Sequence, residues 1–239
     1  EHPDYGEQFK VEYYEKLLPK TSEAIEKYLA SGVLKGIGPA TAAKIVKKFG
    51  EDTLNIIGFN PQQLSLVKGI SLEKAIKIGQ AFNEQQGLRN VMLFFQEYGI
   101  SPSHSIKIYK VFGDRAIDEI KENPYKLSEQ IFGITFKVAD KLAMSLGIDP
   151  LSIYRLCSGI KHVLTLSATN GHTYIPEDKL MRMTSQLLDV QIDEIKDACV
   201  RLLMDKAIFM EKGPDCNRIY LSSLYNAEIS VCKKLIVLA

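Results

Sequence analysis

Along the first 149 positions apolar residues recur at helical spacing, and short glycine-containing turns interrupt them. The clearest interruption is LKGIGPATAA, Leu34 to Ala43, where two glycines and a proline sit inside a helix-forming neighbourhood. The pattern predicts a helix over Ser22–Leu29, a hairpin at Leu34–Gly38, and a second helix over Pro39–Phe49 with Ala42, Ile45, Val46 and Phe49 on one stripe. Proline is tolerated in the first helical turn, because that N–H has no intrahelical partner, and Gly50 is placed to cap the C-terminus. Gly36 and Gly38 are expected to supply positive φ at the turn.

The hairpin has siblings. A shift of 33 residues lays Leu34, Lys35, Gly36, Ile37, Ala42, Lys44 and Ile45 on Val67, Lys68, Gly69, Ile70, Ala75, Lys77 and Ile78. A shift of 63 lays Phe49, Gly50, Asn60 and Pro61 on Phe112, Gly113, Asn123 and Pro124, and at 64 the register continues from KGISLEKAIKI to FGITFKVADKL. Four hairpins result, near Gly36, Gly69, Gly99 and Gly133. Ala42 and Ala75 are expected to face the preceding helix, where a longer side chain would push the pair apart.

Beyond Leu146 the period changes. Pro150 breaks the chain, and helices are predicted over Ser152–Ala168, Glu177–Leu188 and Ile192–Lys206, with a short strand at His172–Pro176. Ala207–Leu224 alternates apolar and polar residues around a Gly-Pro-Asp turn, the pattern of a β-hairpin wing. The fold class is therefore mainly α: tandem helix-hairpin-helix, two paired units, followed by a small α+β winged-helix-like module. The expected boundaries are a linker at 1–20, a first paired unit at 21–86, a second at 87–149, the winged module at 150–225 and the start of a further helix at 226–239. Asp189, Asp193, Glu194, Asp197 and Asp205 crowd the last helix of the winged module, which favours scaffolding over groove reading.

Composition removes some functions and leaves others open. No apolar run is long enough for a membrane span and no signal peptide opens the chain, so a cytoplasmic protein is expected. Cys157, Cys199, Cys216 and Cys232 match no metal knuckle and read as ordinary thiols. Cys157, His162 and His172 lack a fourth ligand at metal spacing. Tyr13, Tyr14, Phe94, Phe95 and Tyr98 are of a type that stacks on single-stranded bases, yet Met92, Phe95 and Gly99 follow helical spacing and the aromatics read as core. The net charge of +1 makes local placement of lysines the deciding matter for a polyanionic partner. That placement is specific. A turn with bare amides followed by a helix N-terminus suits a phosphate. Lys35 and Lys68 occupy the same position of two hairpins, with Lys44, Lys47, Lys48, Lys74 and Lys77 on the helices that follow.

LKGIG-PATAAKI and VKGIS-LEKAIKI resemble helix-hairpin-helix DNA-binding motifs, and two in tandem resemble the (HhH)2 domain, which straddles the minor groove and holds phosphates with both hairpins. More narrowly, the series from YGEQFKVEYYEKLLPK through KKFGEDTL, then GITFKVADKLAMSLGI and GHTYIP, resembles the amino-terminal region of bacterial RecD-like (RecD/TraA type, YrrC-like) DNA helicases. The resemblance implies a preceding β domain and a following superfamily 1 motor of 5′ to 3′ polarity. With no initial methionine and an end at KKLIVLA, the chain is expected to be a fragment. It contains no GxxxxGK[ST] loop, so ATP and Mg are expected only for the missing motor, with no cofactor and no catalysis here.

The expected contacts are Lys35, Gly36, Ile37, Gly38, Thr41 and Lys44 from hairpin one, and Lys68, Gly69, Ser71, Lys74 and Lys77 from hairpin two, on duplex, fork or single-stranded DNA. The parent's own motor domain is the other expected partner. Hairpins three and four, YGISPSHSIKI and FGITFKVADKL, lack the lysine and read as packing repeats. The alternative function is a protein-interaction or structural scaffold that braces the motor without touching DNA. A nuclease or ligase with tandem hairpins is a third possibility.

Overall fold

The computed structural model describes residues 18–238, so Tyr13, Tyr14 and most of the 1–20 linker lie outside the described residues. Backbone contacts divide the chain into two compact units, 1–89 and 90–239.

The first unit holds α1 (Ser22–Ala30), α2 (Pro39–Phe49), α3 (Thr53–Phe59) and the start of α4 (Leu72–Glu97). Each boundary has a local cause. The Thr21 hydroxyl accepts the Ala24 N–H at 3.4 Å to open α1, Pro39 opens α2, and Gly50 at φ 57° closes it. The first of the two asparagine-proline pairs, Asn60-Pro61, opens a turn: Pro61 begins a 3-10 segment that ends at Leu66. Leu29, Ala42, Ile45, Ile57, Leu64 and Ala75 are fully buried and form the centre of this unit's core.

α4 runs for 26 residues without a break, so the expected 86/87 boundary falls inside a helix. Residues 80–97 contain no proline and hold four Gln, two Glu, two Leu, a Met and an Arg, good helix formers that carry the helix past that position. Ala75, Ile78 and Phe82 belong to the first core, whereas Val91 and Phe95 belong to the second.

The second unit continues with α5 (Pro102–Phe112), α6 (Ala116–Glu122), α7 (Lys126–Gln130), α8 (Phe136–Ser145), α9 (Ile153–Thr169), α10 (Glu177–Leu188), α11 (Ile192–Met204) and α12 (Ser222–Leu238). Three strands, β1 (Tyr174–Pro176), β2 (Ile208–Lys212) and β3 (Asn217–Leu221), form an antiparallel sheet in the order β1-β3-β2. Tyr174 pairs with Tyr220, and Ile208 with Leu221. The wing therefore gains a third strand from the segment after α9. The expected strand to Leu224 stops at Leu221, because Ser222 starts α12. One hydrophobic cluster runs from Val91 through Ile134, Ile160 and Leu188 to Ile219, so no break in the core separates residues 90–149 from those that follow.

All four hairpins have the same frame. The residue after each turn glycine, Ile37, Ile70, Ile100 or Ile134, is 4–5% exposed. Six positions beyond the glycine stand Ala42, Ala75, Ser105 and Ala139, each with zero exposure, as close helix approach requires. Gly36, Gly69, Gly99 and Gly133 have φ of 95°, 101°, 73° and 98°. Gly38 does not share this property. Its φ is −96° and ψ 173°, ordinary extended backbone at the N-cap of α2, which corrects the expectation of positive φ there. The equivalent Ser101 and Thr135 are extended N-caps too, so serine or threonine can stand at the second glycine's position without backbone strain.

A contrast between the two glycines follows. Gly36→Ser should lower stability by about 1–2 kcal/mol through forced left-handed backbone. Gly38→Ser, with open space where its Cβ would stand, should be neutral or stabilising by up to about 1 kcal/mol. Thermal melting of the two variants checks this.

Candidate nucleic-acid interface

Hairpin one closes with the Ile37 N–H donating to the Leu34 carbonyl at 3.2 Å, and hairpin two with Ile70 donating to Val67 at 3.1 Å. An i to i+3 bond with positive φ at the third residue is the type II arrangement, which turns the second residue outward. That residue is Lys35 in one hairpin and Lys68 in the other, both exposed. The amides of Gly36, Gly38 and Ala40 donate to no protein acceptor among the described residues, while Thr41 and Ala42 both donate to the Gly38 carbonyl. Free amides beside a helix N-terminus carry partial positive charge directed outward.

The two hairpins are neighbours. The Lys74 Cε lies 3.5 Å from where a Gly36 Cβ would stand, so a lysine on the helix after hairpin two covers the glycine of hairpin one. Ser71 caps that helix by accepting the Lys74 N–H at 3.2 Å, and its own hydroxyl proton stays available to an anion. Lys48 is committed elsewhere, donating to the Leu66 carbonyl at 2.7 Å. Among the described residues Lys35, Lys44, Lys68 and Lys74 make no ion pair. Lys77 pairs with Glu73 at 2.6 Å, but both side chains are more than two-thirds exposed. Such a surface pair is worth about 0–1 kcal/mol and is readily exchanged for a phosphate. Of the eleven expected contacts, Ile37 is buried core, Thr41 is half-buried on α2, and the rest surround the two turns.

Hairpins three and four form the same pairing in the second unit. Gly99 ends α4, with its N–H on Gln96 and the Ile100 N–H reaching back to the Phe95 carbonyl at 3.0 Å, a Schellman closure. Hairpin four repeats the type II turn through Ile134 to Ile131 at 3.1 Å. His104 Nε2 lies 2.9 Å from where a Gly133 Cβ would stand, five residues after its hairpin glycine, as Lys74 is after Gly69. The lysine position is taken by Tyr98 and Phe132. Tyr98 is half-buried against Phe94, with ring centroids 5.2 Å apart, and Phe95 is fully buried. Phe132 stands in solvent. Sequence reasoning passed over this residue because an apolar side chain in a repeat was counted as packing.

The other candidates have structural roles. His162 stacks on Phe136 at 5.0 Å, and burial pushes its imidazole below the ordinary value. Burial raises the thiols of Cys157 and Cys199, the latter to about 11. Asp189, Asp193, Glu194, Asp197 and Asp205 are exposed, and Asp193 pairs with Lys196 at 2.6 Å. No helix among the described residues is long and apolar enough to cross a membrane.

Comparison with known proteins matches residues 84–174 to the family model of the ATP-dependent RecD2 DNA helicase HHH domain. The chain is also 27% identical over 183 residues to the ATP-dependent RecD2 DNA helicase of Deinococcus radiodurans. That similarity covers 75% of this chain and 25% of the relative, so the chain spans about a quarter of that protein's length. Both matches support a helix-hairpin-helix region of a RecD-like helicase. The family match begins inside α4 and ends at the first residue of β1, so it takes in hairpins three and four and leaves out hairpins one and two.

Proposed function

We propose, from the premise of a RecD2-type helix-hairpin-helix region, that this chain grips DNA without reading its sequence and serves a 5′ to 3′ ATP-dependent helicase of DNA repair or recombination. The observation that carries the reading is the pairing of two like turns, with Lys74 of the second against Gly36 of the first. Phosphates would meet the amides of Gly36, Gly38 and Gly69, the Ser71 hydroxyl, and the ammonium groups of Lys35, Lys44, Lys68, Lys74 and Lys77. Backbone amides and lysines neutralise phosphate but touch no base edge, so affinity would be insensitive to sequence and weaken as salt rises. ATP and Mg belong to the parent's motor in this reading, since the chain carries no phosphate-cradling GxxxxGK[ST] loop. In this reading the parent acts in the cytoplasm.

Fluorescence anisotropy of labelled duplex, forked and single-stranded DNA across a salt series tests this. Lys35→Glu/Lys68→Glu removes two phosphate contacts and should flatten the slope of log K against log salt by about two. Affinity at low salt should fall by an order of magnitude or more. If wild type shows no salt-dependent binding, the chain is a scaffold that braces the motor, and the exposed acidic face of α11 becomes the surface to probe.

A further inference from the structure

We infer that hairpin four presents Phe132 as a stacking platform for an unpaired base, so that the second unit takes single-stranded DNA. This rests on the DNA-binding reading above and gives one hairpin its ligand class.

Phe132 is 92% exposed at the second position of its type II turn. An apolar ring there buries nothing and adds nothing to the core; the first unit puts lysine at the same position twice. The turn holds it outward. Gly133 has φ 98° and no room for a Cβ beside His104, and Ile134 anchors the base of the hairpin in the core. Lys107, on the helix after hairpin three, fixes the tip from one side: its Nζ donates to the Phe132 carbonyl at 3.1 Å and lies 5.8 Å from the ring centroid. The ring's other face is open to solvent. A base can stack there while Lys107 supplies positive charge within reach of the strand's phosphate, the combination of aromatic face and cation that binds single strands without sequence preference. Bases inside a duplex have both faces covered by their neighbours, so the same ring has nothing to stack on in duplex DNA.

The test titrates the whole chain into labelled oligo(dT) and labelled mixed-sequence duplex, for wild type, Phe132→Ala, Phe132→Trp and Lys35→Glu/Lys68→Glu. Phe132→Ala should weaken oligo(dT) binding by roughly five- to a hundredfold, the effect of one lost base stack. Duplex binding should stay unchanged, and Phe132→Trp should restore the oligo(dT) affinity. With 5-iododeoxyuridine in the oligonucleotide, irradiation should crosslink the peptide that contains Phe132. The inference is overturned if Phe132→Ala leaves oligo(dT) affinity intact while Lys35→Glu/Lys68→Glu lowers DNA binding; Phe132 would then face a protein partner. A parallel loss on duplex overturns it too. Absence of any DNA binding by wild type would instead remove the reading on which it rests.

Discussion

Arg155→Ala is expected to destabilise the second unit by about 3–5 kcal/mol, the cost of leaving one member of a buried ion pair alone. Arg155 is 7% exposed. Its Nε donates to Asp140 Oδ1 at 2.8 Å and its second terminal nitrogen to Oδ2 at 3.2 Å. The first terminal nitrogen donates to the carbonyls of Pro150 at 3.1 Å and Leu188 at 3.0 Å. Tyr125 donates its hydroxyl to the same Asp140 oxygen at 2.7 Å; burial and that bond push its phenol well above the ordinary value, so it remains a donor. One guanidinium thus ties α8, which follows hairpin four, to α9 and to the end of α10. Lysine cannot supply the fork and two further donors, so Arg155→Lys should recover only part of the loss. Chemical denaturation checks the size, and a cost below about 1 kcal/mol would show that the site is solvated. A paired replacement, Arg155→Met with Asp140→Leu, should lie closer to wild type than Arg155→Ala, because no charge is stranded.

Gly79→Val should unfold much of the first unit, at a cost of about 3 kcal/mol or more from overpacking and forced backbone movement. Gly79 sits in α4, where helix propensity alone favours alanine over glycine by about 1 kcal/mol. Packing argues the other way. A Cβ there would stand 2.5 Å and 2.7 Å from Pro61 Cβ and Cγ and 2.9 Å from the Ile57 carbonyl oxygen. Carbon atoms at rest stay about 3.5–4.0 Å apart. The obstacle includes a rigid ring and a backbone oxygen, neither of which rotates away. Even Gly79→Ala should therefore be destabilising, by about 1–3 kcal/mol net. Hairpin two would move off hairpin one, and salt-dependent DNA binding should fall with the folded fraction. A melting temperature at or above that of wild type for Gly79→Ala would sink this account.

Local chemistry made much of the helical architecture legible. Pro39 and Gly50 bracket α2 at the expected residues, and the internal repeat marks all four turn glycines. The alternation around Gly213 located the wing. Less was legible where a residue's role depends on a partner far along the chain. Gly38 and Gly36 look alike in sequence, yet only Gly36 needs its freedom, since Gly38 is an extended N-cap. That is why hairpins two and four, with Ser71 and Thr135 at that position, keep the type II turn of hairpin one.

The expected lysines around hairpins one and two do lie about paired turns, but Lys48 is held by the Leu66 carbonyl, 18 positions along the chain, a partner that spacing could not show, whereas the pairing of Lys77 with Glu73 is an ordinary i,i+4 contact. Phe132 was missed for a related reason. An apolar residue in a repeat looks like core, and the turn type that points it into solvent is a property of backbone geometry.

Repeat period, turn glycines, proline-started helices and the lysine positions follow from the order of residues, because each rests on interactions within a few positions along the chain. The tertiary structure settled which hairpins pair, that Lys74 covers Gly36 and His104 covers Gly133, that Arg155 joins hairpin four's helix to the later module, and that Phe132 is bare. Those depend on close approach between segments 25 or more residues apart in several cases, as for Lys107 and the Phe132 carbonyl. Such approach is decided by packing, which no local pattern records.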